Sequence, residues 1–348
     1  MTAAPPITLC EATSLRLRRV LRVHFDPTGG SRFWLARADR LGIDPRRDVA
    51  DAADLCLLGD LRADELRRTP LHDLVPASLW HERHSLRVVQ TGGTTGPGAW
   101  TCYRDDEFDE AFVAPFVAAA KPVDFPRGGR WLYVGPSGPH VIGLAASAIA
   151  RATGSATPFC VDFDPRWAAK SPPDSFARRR YVDHVLQQAL DVLAMQEIDV
   201  LFATPPMLLR LAGSLDAGRR RAISGVHYGG MRVTAEALDR LRNAFPSAVH
   251  LAGYGNTLLG CCLPLVAGEA PPTYFPYGSR LIFEAPDGDA GPLRVTRLDE
   301  SMLLVRLVER DVATLAAPPH DAPAGFCLPG VHDPRPPADR PQLSQGIY

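Results

Sequence analysis

The stretch from residue 131 to residue 251 alternates short apolar runs with longer amphipathic ones. The short runs suit buried strands, and the longer runs suit helices. Parallel strands need crossover connections that are usually helices, so the alternation predicts an α/β sheet with helices on its faces. The predicted strands are 131–134, 199–203, 225–228 and 249–251, and the predicted helices are 11–24, 105–120, 141–153, 176–196 and 234–245. Strand-like runs at 280–284, 292–297 and 302–308 predict a β-rich region beyond the sheet.

A loop rich in glycine and threonine precedes this region, with three threonines and four glycines between residues 91 and 98. Glycine lets the backbone approach a ligand closely, and successive N–H groups with short hydroxyls suit a polyphosphate. The candidate phosphate contacts are Thr91, Thr94 and Thr95 with the backbone of Gly92, Gly93 and Gly96. The loop is not a Walker A motif, because no Lys-Ser or Lys-Thr follows at the required spacing. A flexible loop without a ligand is the alternative.

Further motifs follow in order along the chain. Gly229-Gly230 ends a predicted strand, and a Gly-Tyr-Gly-Asn-Thr segment at 253–257 follows the next strand. Asp311 closes the series after the last strand-like run. Together with the threonine loop, these segments resemble the large N-terminal domain of the adenylate-forming superfamily. That superfamily includes acyl-CoA synthetases, peptide-synthetase adenylation domains, luciferases and phenylacetate-CoA ligases, and the resemblance covers roughly residues 85 to 315.

The resemblance implies a fold and a set of roles. The fold is an α/β domain whose mixed sheets are flanked by helices, with a small β-rich subdomain. The threonine loop handles the β- and γ-phosphates of ATP, the glycine pair and tyrosine segment frame adenine and the acyl carboxylate, and the aspartate binds ribose. The implied catalytic residues are Thr94, Thr95, Thr257 and His140. The implied nucleotide-binding residues are Thr91, Gly92, Gly93, Gly96, Gly229, Gly230, Tyr254, Gly255, Asn256 and Asp311.

Each role has a structural alternative that stays open. The glycine pair also suits a tight turn, and Tyr254 also suits a half-buried core position. His140 precedes a predicted helix, where a capping or core role competes with a place in the acyl pocket. Asp311 has Arg306 and Arg310 close by in sequence as ion-pair partners.

Two departures from the family pattern remove charges. The family loop continues with Pro-Lys, and the corresponding positions here are Gly98 and Ala99. Leu258 stands where the family has a glutamate that helps to hold Mg²⁺. The resemblance implies ATP and Mg²⁺ as cofactors, but the metal ligands in this chain are unknown. Mg²⁺ or an arginine from elsewhere must balance the triphosphate.

Composition and charge restrict the partners. The chain has 348 residues and a net charge of −1, so bulk electrostatics favour neither nucleic acid nor an anionic membrane. We expect a cytoplasmic protein, with no signal peptide and no membrane-spanning helix. The seven cysteines are scattered without a C-x-x-C pair, which predicts free thiols rather than disulfides or a zinc site.

The chain divides into four predicted segments. Residues 1–85 form a helical segment packed on the core, 86–260 the nucleotide- and acyl-binding core, and 261–315 the β-rich subdomain. Residues 316–348 form a Pro-rich tail, expected to be irregular and largely unpacked because 318–341 hold eight prolines. The family's C-terminal lid domain, which carries a catalytic lysine, is expected to be absent, since 37 residues follow Asp311 and no lysine follows Lys170.

This pattern resembles the truncated phenazine-antibiotic biosynthesis adenylation proteins. The resemblance implies activation of a carboxylic acid, aromatic and from specialised metabolism, to an acyl adenylate. A carrier protein or a separate acyl-transfer partner would then help to move the acyl group to its acceptor, and a homodimer is compatible with the sequence. The rival hypothesis is a non-catalytic protein that binds nucleotide or aryl acid, because two family charges are missing.

Overall fold

The computed structural model describes residues 10–92, 97–172, 174–266, 268–286 and 291–337. Its contacts group the chain into two compact units, and each unit gathers stretches that are distant in sequence. Unit 1 contains residues 1–90, 97–111 and 275–337, and unit 2 contains residues 91–96, 112–274 and 338–348. The four predicted segments divide the chain by sequence alone, so their boundaries stay predictions. Among the described residues, no helix is both long and apolar enough to cross a membrane.

Short helices and a hairpin occupy the first part of unit 1. The helices are α1 (Glu11–His24), α2 (Arg32–Leu41), α3 (Pro45–Asp48), α4 (Ala63–Arg68), α5 (Leu71–Leu74) and α6 (Ala77–Trp80), with 3₁₀ turns at Ala53–Leu58 and Arg83–Ser85. Strands β1 (Arg87–Gln90) and β2 (Trp100–Tyr103) form an antiparallel hairpin. The predicted helix at 11–24 is confirmed, and its apolar stripe buries Leu17, Val20 and Leu21. Ser31 begins α2 by accepting the backbone N–H of Trp34, and Gly42 ends that helix in the left-handed conformation.

The predicted helix over 105–120 is present but interrupted. Helix α7 (Asp105–Phe108) passes through a π-helical turn at Asp109–Val113 into α8 (Ala114–Ala120). Three acidic residues in the first turn of α7 suit the positive end of the helix dipole.

Unit 2 is built on a five-stranded parallel sheet. Its elements are β3 (Trp131–Gly135), α9 (Val141–Ala152), β4 (Phe159–Asp162), α10 (Pro165–Lys170), α11 (Phe176–Met195), β5 (Val200–Ala203), α12 (Pro205–Ser214), α13 (Ala217–Ala222), β6 (Gly225–Tyr228), α14 (Ala235–Ala244) and β7 (Val249–Ala252). The spatial order of the strands is β4-β3-β5-β6-β7, and every neighbouring pair is parallel. Strands β3, β5 and β6 are buried along their whole length, as expected when helices cover both faces.

The remaining strands complete the two units. A short hairpin in unit 2 joins β8 (Tyr254–Asn256) to β9 (Gly260–Cys262), and β10 (Thr273–Tyr274) follows. In unit 1, β11 (Leu281–Glu284), β12 (Arg294–Leu298) and β13 (Leu303–Val308) form an antiparallel sheet. The pair β14 (Val312–Ala316) and β15 (Gly330–Arg335) follows it. The predicted β-rich region beyond the parallel sheet is therefore confirmed.

The prediction of an irregular, unpacked tail is wrong for the part that the structure describes. Strand β15 lies within that tail and pairs with β14 despite Pro334. Phe326, Leu328 and Val331 are buried, so apolar side chains spaced between the prolines anchor this segment. The number of prolines was a poor guide to irregular structure, because each proline lacks only its own backbone N–H and the residues between prolines can still pair in a sheet. Residues 338–348 lie outside the described residues.

Candidate functional site

The carboxyl ends of the strands in unit 2 meet at one edge of the parallel sheet. The strand order reverses between β3 and β5, because the chain runs from β3 to β4 on one side and then crosses to β5 on the other. In open α/β sheets, ligands bind outside the carboxyl ends of the strands at such a reversal. The loops after β3 and β5 therefore define the first part of the candidate site.

The loop after β3 is held in place by hydrogen bonds to the sheet. The Tyr133 hydroxyl donates to the Pro136 carbonyl oxygen at 2.9 Å. The backbone N–H and the hydroxyl of Ser137 both donate to Asp162 Oδ1, at 2.8 Å each. His140 follows at the N-cap of α9 and is buried, with 5 % of its surface exposed. The structure thus places His140 at the sheet reversal, and its role in the acyl pocket stays a prediction.

Thr204 lies on the other side of the reversal. It is the N-cap residue of α12, directly after β5, and is 7 % exposed. A threonine followed by a proline is typical of a helix start, and Thr204 and Pro205 hold the N-cap and first helical positions of α12. The sequence did not identify Thr204 as a candidate site residue, because the strand order that gives this position its importance is not visible in a local pattern.

The glycine pair after β6 allows two chain segments to approach closely. A Cβ atom added at Gly229 would lie 2.8 Å from the Gly253 carbonyl oxygen. The Gly253 N–H donates to the Tyr228 carbonyl oxygen at 2.7 Å, which joins the ends of β6 and β7. Position 229 therefore requires glycine for packing, whether or not a nucleotide binds there.

The tyrosine segment forms the β8–β9 hairpin. A Cβ atom added at Gly255 would lie 1.9 Å from the Gly260 carbonyl oxygen, so this strand pair excludes any larger residue. Asn256 Oδ1 accepts the backbone N–H groups of Leu258 and Leu259, at 2.9 Å and 3.2 Å. Thr257 lies in the same turn and is partly exposed. Gly255 and Asn256 thus have structural functions, and binding roles for them stay predictions.

Tyr254 is half-buried and lies beside another tyrosine. Its ring centroid is 5.6 Å from that of Tyr274, with a 36° angle between the ring planes. This environment agrees with the alternative of a half-buried core tyrosine. Adenine stacking by Tyr254 stays a prediction.

His227 supports the same region from inside the sheet. Its Nδ1–H donates to the Leu251 carbonyl oxygen at 2.8 Å, and its ring packs against Phe116 and Phe202. Burial lowers the pKa of His227 to about 4, so the imidazole is neutral at physiological pH. A buried neutral histidine between β6 and β7 keeps the core beneath the candidate site free of charge.

The threonine loop is described only at its start. Thr91 and Gly92 follow β1, and both are partly exposed. Gly93, Thr94, Thr95 and Gly96 lie outside the described residues, so their phosphate-binding role stays a prediction. Ala99, at a position where the resemblance implies a lysine, is 3 % exposed.

Asp311 belongs to unit 1, between β13 and β14, and is half-buried. Its carbonyl oxygen accepts the Leu293 N–H at 2.8 Å, which fixes the backbone at this point. Arg306, one of the two proposed ion-pair partners, donates to Asp60 at 2.9 Å and also pairs with Glu284. Ribose binding by Asp311 stays a prediction.

Around the candidate site, the residues that the structure describes do not provide a magnesium site. Leu258, where the resemblance implies a metal-binding glutamate, is buried with 6 % exposure. Over the ranges that the structure describes, no group of three or more His, Cys, Asp or Glu residues could hold a metal ion. Position 258 therefore does not fit the family's magnesium ligand.

Comparisons with known proteins identify the fold. No model of a known protein family matches the sequence, and no curated protein matches it. Among solved structures, 2-hydroxyisobutyryl-CoA ligase in the postadenylation state with R3-HIB-AMP is 14 % identical, with a TM-score of 0.67 over 94 % of this chain and 67 % of that chain. The same ligase with 2-HIB-AMP and CoA in the thioesterification state is 15 % identical, with a TM-score of 0.65 over 93 % of this chain and 66 % of that chain.

ATP-bound MatB from Rhodopseudomonas palustris is less similar. It is 16 % identical, with a TM-score of 0.42 over 70 % of this chain and 46 % of that chain. The likeness to the 2-hydroxyisobutyryl-CoA ligase structures shows that this chain shares their fold. The chain spans about two thirds of the length of the 2-hydroxyisobutyryl-CoA ligase structures.

Proposed function

We propose that this chain activates a carboxylic acid with ATP, forming an acyl adenylate and pyrophosphate. The observation that carries the proposal is the fold shared with a ligase whose complexes hold 2-HIB-AMP or R3-HIB-AMP. The sheet reversal between β3 and β5 adds support, because it marks the place where folds of this type bind ligands. The carboxylate oxygen attacks the α-phosphorus in line, and pyrophosphate leaves with its bonding electrons.

The protein contributes mainly position and charge to such a reaction. In the proposal, the N–H groups and hydroxyls of residues 91–96 hold the β- and γ-phosphates. The acid lies near His140 and Gly229, and Asp311 accepts the ribose hydroxyls. ATP and Mg²⁺ are the proposed cofactors, and the ligands of Mg²⁺ are not assigned to residues.

Positions 99 and 258 hold apolar residues, so another cation must balance the negative charge of the triphosphate. We assign this role to Arg232, which follows the glycine pair after β6 and is exposed at the carboxyl edge of the sheet. An arginine can bind a phosphate with two parallel hydrogen bonds, and its charge is permanent. On this proposal, Arg232→Ala slows adenylate formation on the order of 10²-fold, and Arg232→Lys restores part of the rate because a point charge remains.

The finer proposal concerns substrate and acceptor. The resemblance to the phenazine-antibiotic biosynthesis proteins supports an aromatic acid from specialised metabolism. The acyl group would pass to an amine or a carrier protein with the help of a partner. A small-molecule acid, rather than nucleic acid or a membrane, is the proposed binding partner, and a homodimer is compatible with the proposal.

Exchange of labelled pyrophosphate into ATP, measured with a panel of aryl acids, tests the activation step. We expect acid-dependent exchange that falls at least about tenfold, or 1.4 kcal/mol, in the double variant Thr94→Val/Thr95→Val. The melting temperature should change by only a few degrees, and the matched control Thr314→Val, on the exposed face of β14, should retain exchange. Normal exchange in the double variant would remove the threonines from the reaction.

A second candidate function is a non-catalytic protein that binds nucleotide or aryl acid. The burial of Ala99 and Leu258 favours it, since both positions are packed as apolar residues and carry no charge for catalysis. The same assay separates the two functions. Binding of ATP by calorimetry without pyrophosphate exchange for any acid would support the second candidate.

A further inference from the structure

Two cysteines at distant points of the sequence lie side by side in unit 1. The sulfur atoms of Cys10 and Cys327 are 3.1 Å apart, although 317 positions separate them in sequence. A disulfide bond is about 2.0 Å long, so bond formation requires the sulfurs to approach by about 1 Å. Cys327 is exposed and Cys10 is partly exposed, so small reagents can reach the pair.

The Cys10 side is held by helix α1. Cys10 is the N-cap residue of this 14-residue helix, and its sulfur lies 3.2 Å from the Thr13 hydroxyl oxygen. The helix is anchored by its buried apolar face and by Arg16, whose Nε–H donates to the Leu298 carbonyl oxygen at 2.6 Å. The position of Cys10 therefore follows from the packing of the whole helix.

The Cys327 side is held equally firmly. Phe326 and Leu328, on either side of it, are 4 % and 1 % exposed. The Phe326 ring packs edge-on against Tyr277, with 5.2 Å between ring centroids. The Gly278 N–H donates to the Gly325 carbonyl oxygen at 2.7 Å. Both sulfurs are thus presented by anchored backbone segments, and their proximity is a property of the fold.

The two thiols differ in acidity. Partial burial alone raises the pKa of Cys10, but hydrogen bonds from Thr13 and Cys327 outweigh it and lower the pKa. The start of a helix also favours a negative charge. Burial and the neighbouring Cys10 raise the pKa of Cys327 to about 11. Cys10 is therefore the better thiolate, and Cys327 the group that reacts second.

We propose that Cys10 and Cys327 form a reversible disulfide, and that this pair is a site of thiol–disulfide exchange with low-molecular-weight disulfides of the glutathione class. The Cys10 thiolate attacks one sulfur of the small disulfide, forms a mixed disulfide and releases one small thiolate. Cys327 then loses its proton and attacks Cys10 Sγ, which releases the second small thiol. The protein loses two hydrogens and two electrons, and one small disulfide becomes two thiols.

The bond would join the start of α1 to the segment before β15 and close a ring that includes most of the chain. A cross-link between distant residues restricts the unfolded chain and so stabilises the folded one. The oxidised protein should therefore unfold at a higher urea concentration than the reduced protein.

The test uses the full chain with Cys56→Ser and Cys160→Ser, which removes two other exposed thiols. After treatment with oxidised glutathione, peptide mapping should find Cys10 joined to Cys327 at least about tenfold more often than any other cysteine pair. In this background, Cys327→Ser should trap one glutathione on Cys10, and Cys10→Ser should abolish the cross-link. A dithiol reductant should restore both thiols.

Two results would overturn the proposal. The first is stable glutathione on Cys10 or Cys327, without a cross-link, in protein that keeps both of these cysteines. The second is no reaction at either residue in unaltered protein while Cys56 and Cys160 are modified.

Discussion

The two units are stabilised in different ways. The centre of unit 1 is ionic, because the Asp299 carboxylate is fully buried and accepts from Arg280 at 2.6 Å and from Arg297 at 2.5 Å. The core of unit 2 is apolar and aromatic, and its buried His227 is neutral. Removing one charge of a buried ion pair leaves the other charge buried without a partner, which strongly lowers the free energy of unfolding. An apolar core beneath a sheet edge supports loops in which binding residues can lie.

The buried ions at the centre of unit 1 stabilise one another and make further contacts with neighbouring strands. Burial alone raises the pKa of Asp299, but the charges of Arg280 and Arg297 outweigh this effect and hold the pKa at about 2. Arg297 also donates to the Thr101 hydroxyl at 2.8 Å, and its guanidinium carbon lies 3.8 Å from the Tyr103 ring centroid. These contacts tie β2 to β12.

The largest expected effect is on the stability of unit 1. Asp299→Asn keeps the shape but leaves two arginines buried without a counterion, so we expect a loss of about 3–5 kcal/mol in the free energy of unfolding. Urea denaturation measures it. The control Asp216→Asn, at an exposed helix cap in unit 2 that still offers an acceptor, should change stability by less than about 0.5 kcal/mol. A similar small loss in both variants would contradict the ionic account of unit 1.

Asp311→Ala should weaken ATP binding by about 1.5–3 kcal/mol, the scale for losing charge-assisted hydrogen bonds. Calorimetric titration with ATP measures this difference. The matched control is Asp321→Ala, an exposed aspartate of the same unit, which should bind ATP normally. Equal affinities for both variants would assign Asp311 a structural role only.

Gly229→Ala should destabilise the carboxyl edge of the sheet in unit 2 by about 1–3 kcal/mol, because the added methyl group meets the Gly253 carbonyl oxygen. The control Gly213→Ala, in α12 with open space around it, should be neutral or slightly stabilising. Thermal unfolding of the two variants compares them. If both alanines are tolerated equally, the close approach at Gly229 is not a packing requirement.

Acid should weaken both units through their buried histidines. Burial lowers the pKa of His24 in unit 1 and of His227 in unit 2 to about 4. An unfolded histidine has a pKa of about 6.5, so the unfolded state binds more protons between pH 6.5 and 4, and stability falls as the pH falls through that window. Each histidine should contribute a loss of up to about 2 kcal/mol between pH 7 and pH 5.

Single variants separate the two contributions to this pH dependence. His227→Leu and His24→Leu should each reduce the stability difference between pH 7 and pH 5, measured by urea denaturation at both values. An unchanged difference in either variant would mean that folding does not lower the pKa of that histidine.

Four of the five strands of the parallel sheet were predicted, because their information is local. The edge strand β4 was not predicted, since three of its four residues are exposed and it lacks a long apolar run. Apolar runs such as 200–203 and 225–228 form strands within one or two residues of the expected bounds. The helix start at Thr204 and the helix at 11–24 are likewise encoded by neighbouring residues. The role of Thr204 at the sheet reversal needed the strand order, which depends on contacts between distant segments.

The ionic centre of unit 1 and the Cys10–Cys327 pair were not predictable for the same reason. Arg280 and Asp299 are separated by 19 positions, and Cys10 and Cys327 by 317. No periodic pattern or motif relates such residues. The sequence identified Gly229 and Gly255 as motif residues. In the structure, close packing is sufficient to require glycine at both positions. A motif match there is therefore weaker support for nucleotide binding than the sequence indicated.

The most direct test of the central claim is mass spectrometry of the purified chain mixed with ATP, Mg²⁺ and a panel of aryl acids. The proposed function predicts an acyl adenylate for at least one acid, with one pyrophosphate released per adenylate formed. It also predicts that this product falls strongly in Thr94→Val/Thr95→Val and remains in Thr314→Val. ATP binding without any adenylate, across the whole panel, would contradict the claim that this chain is an adenylate-forming enzyme.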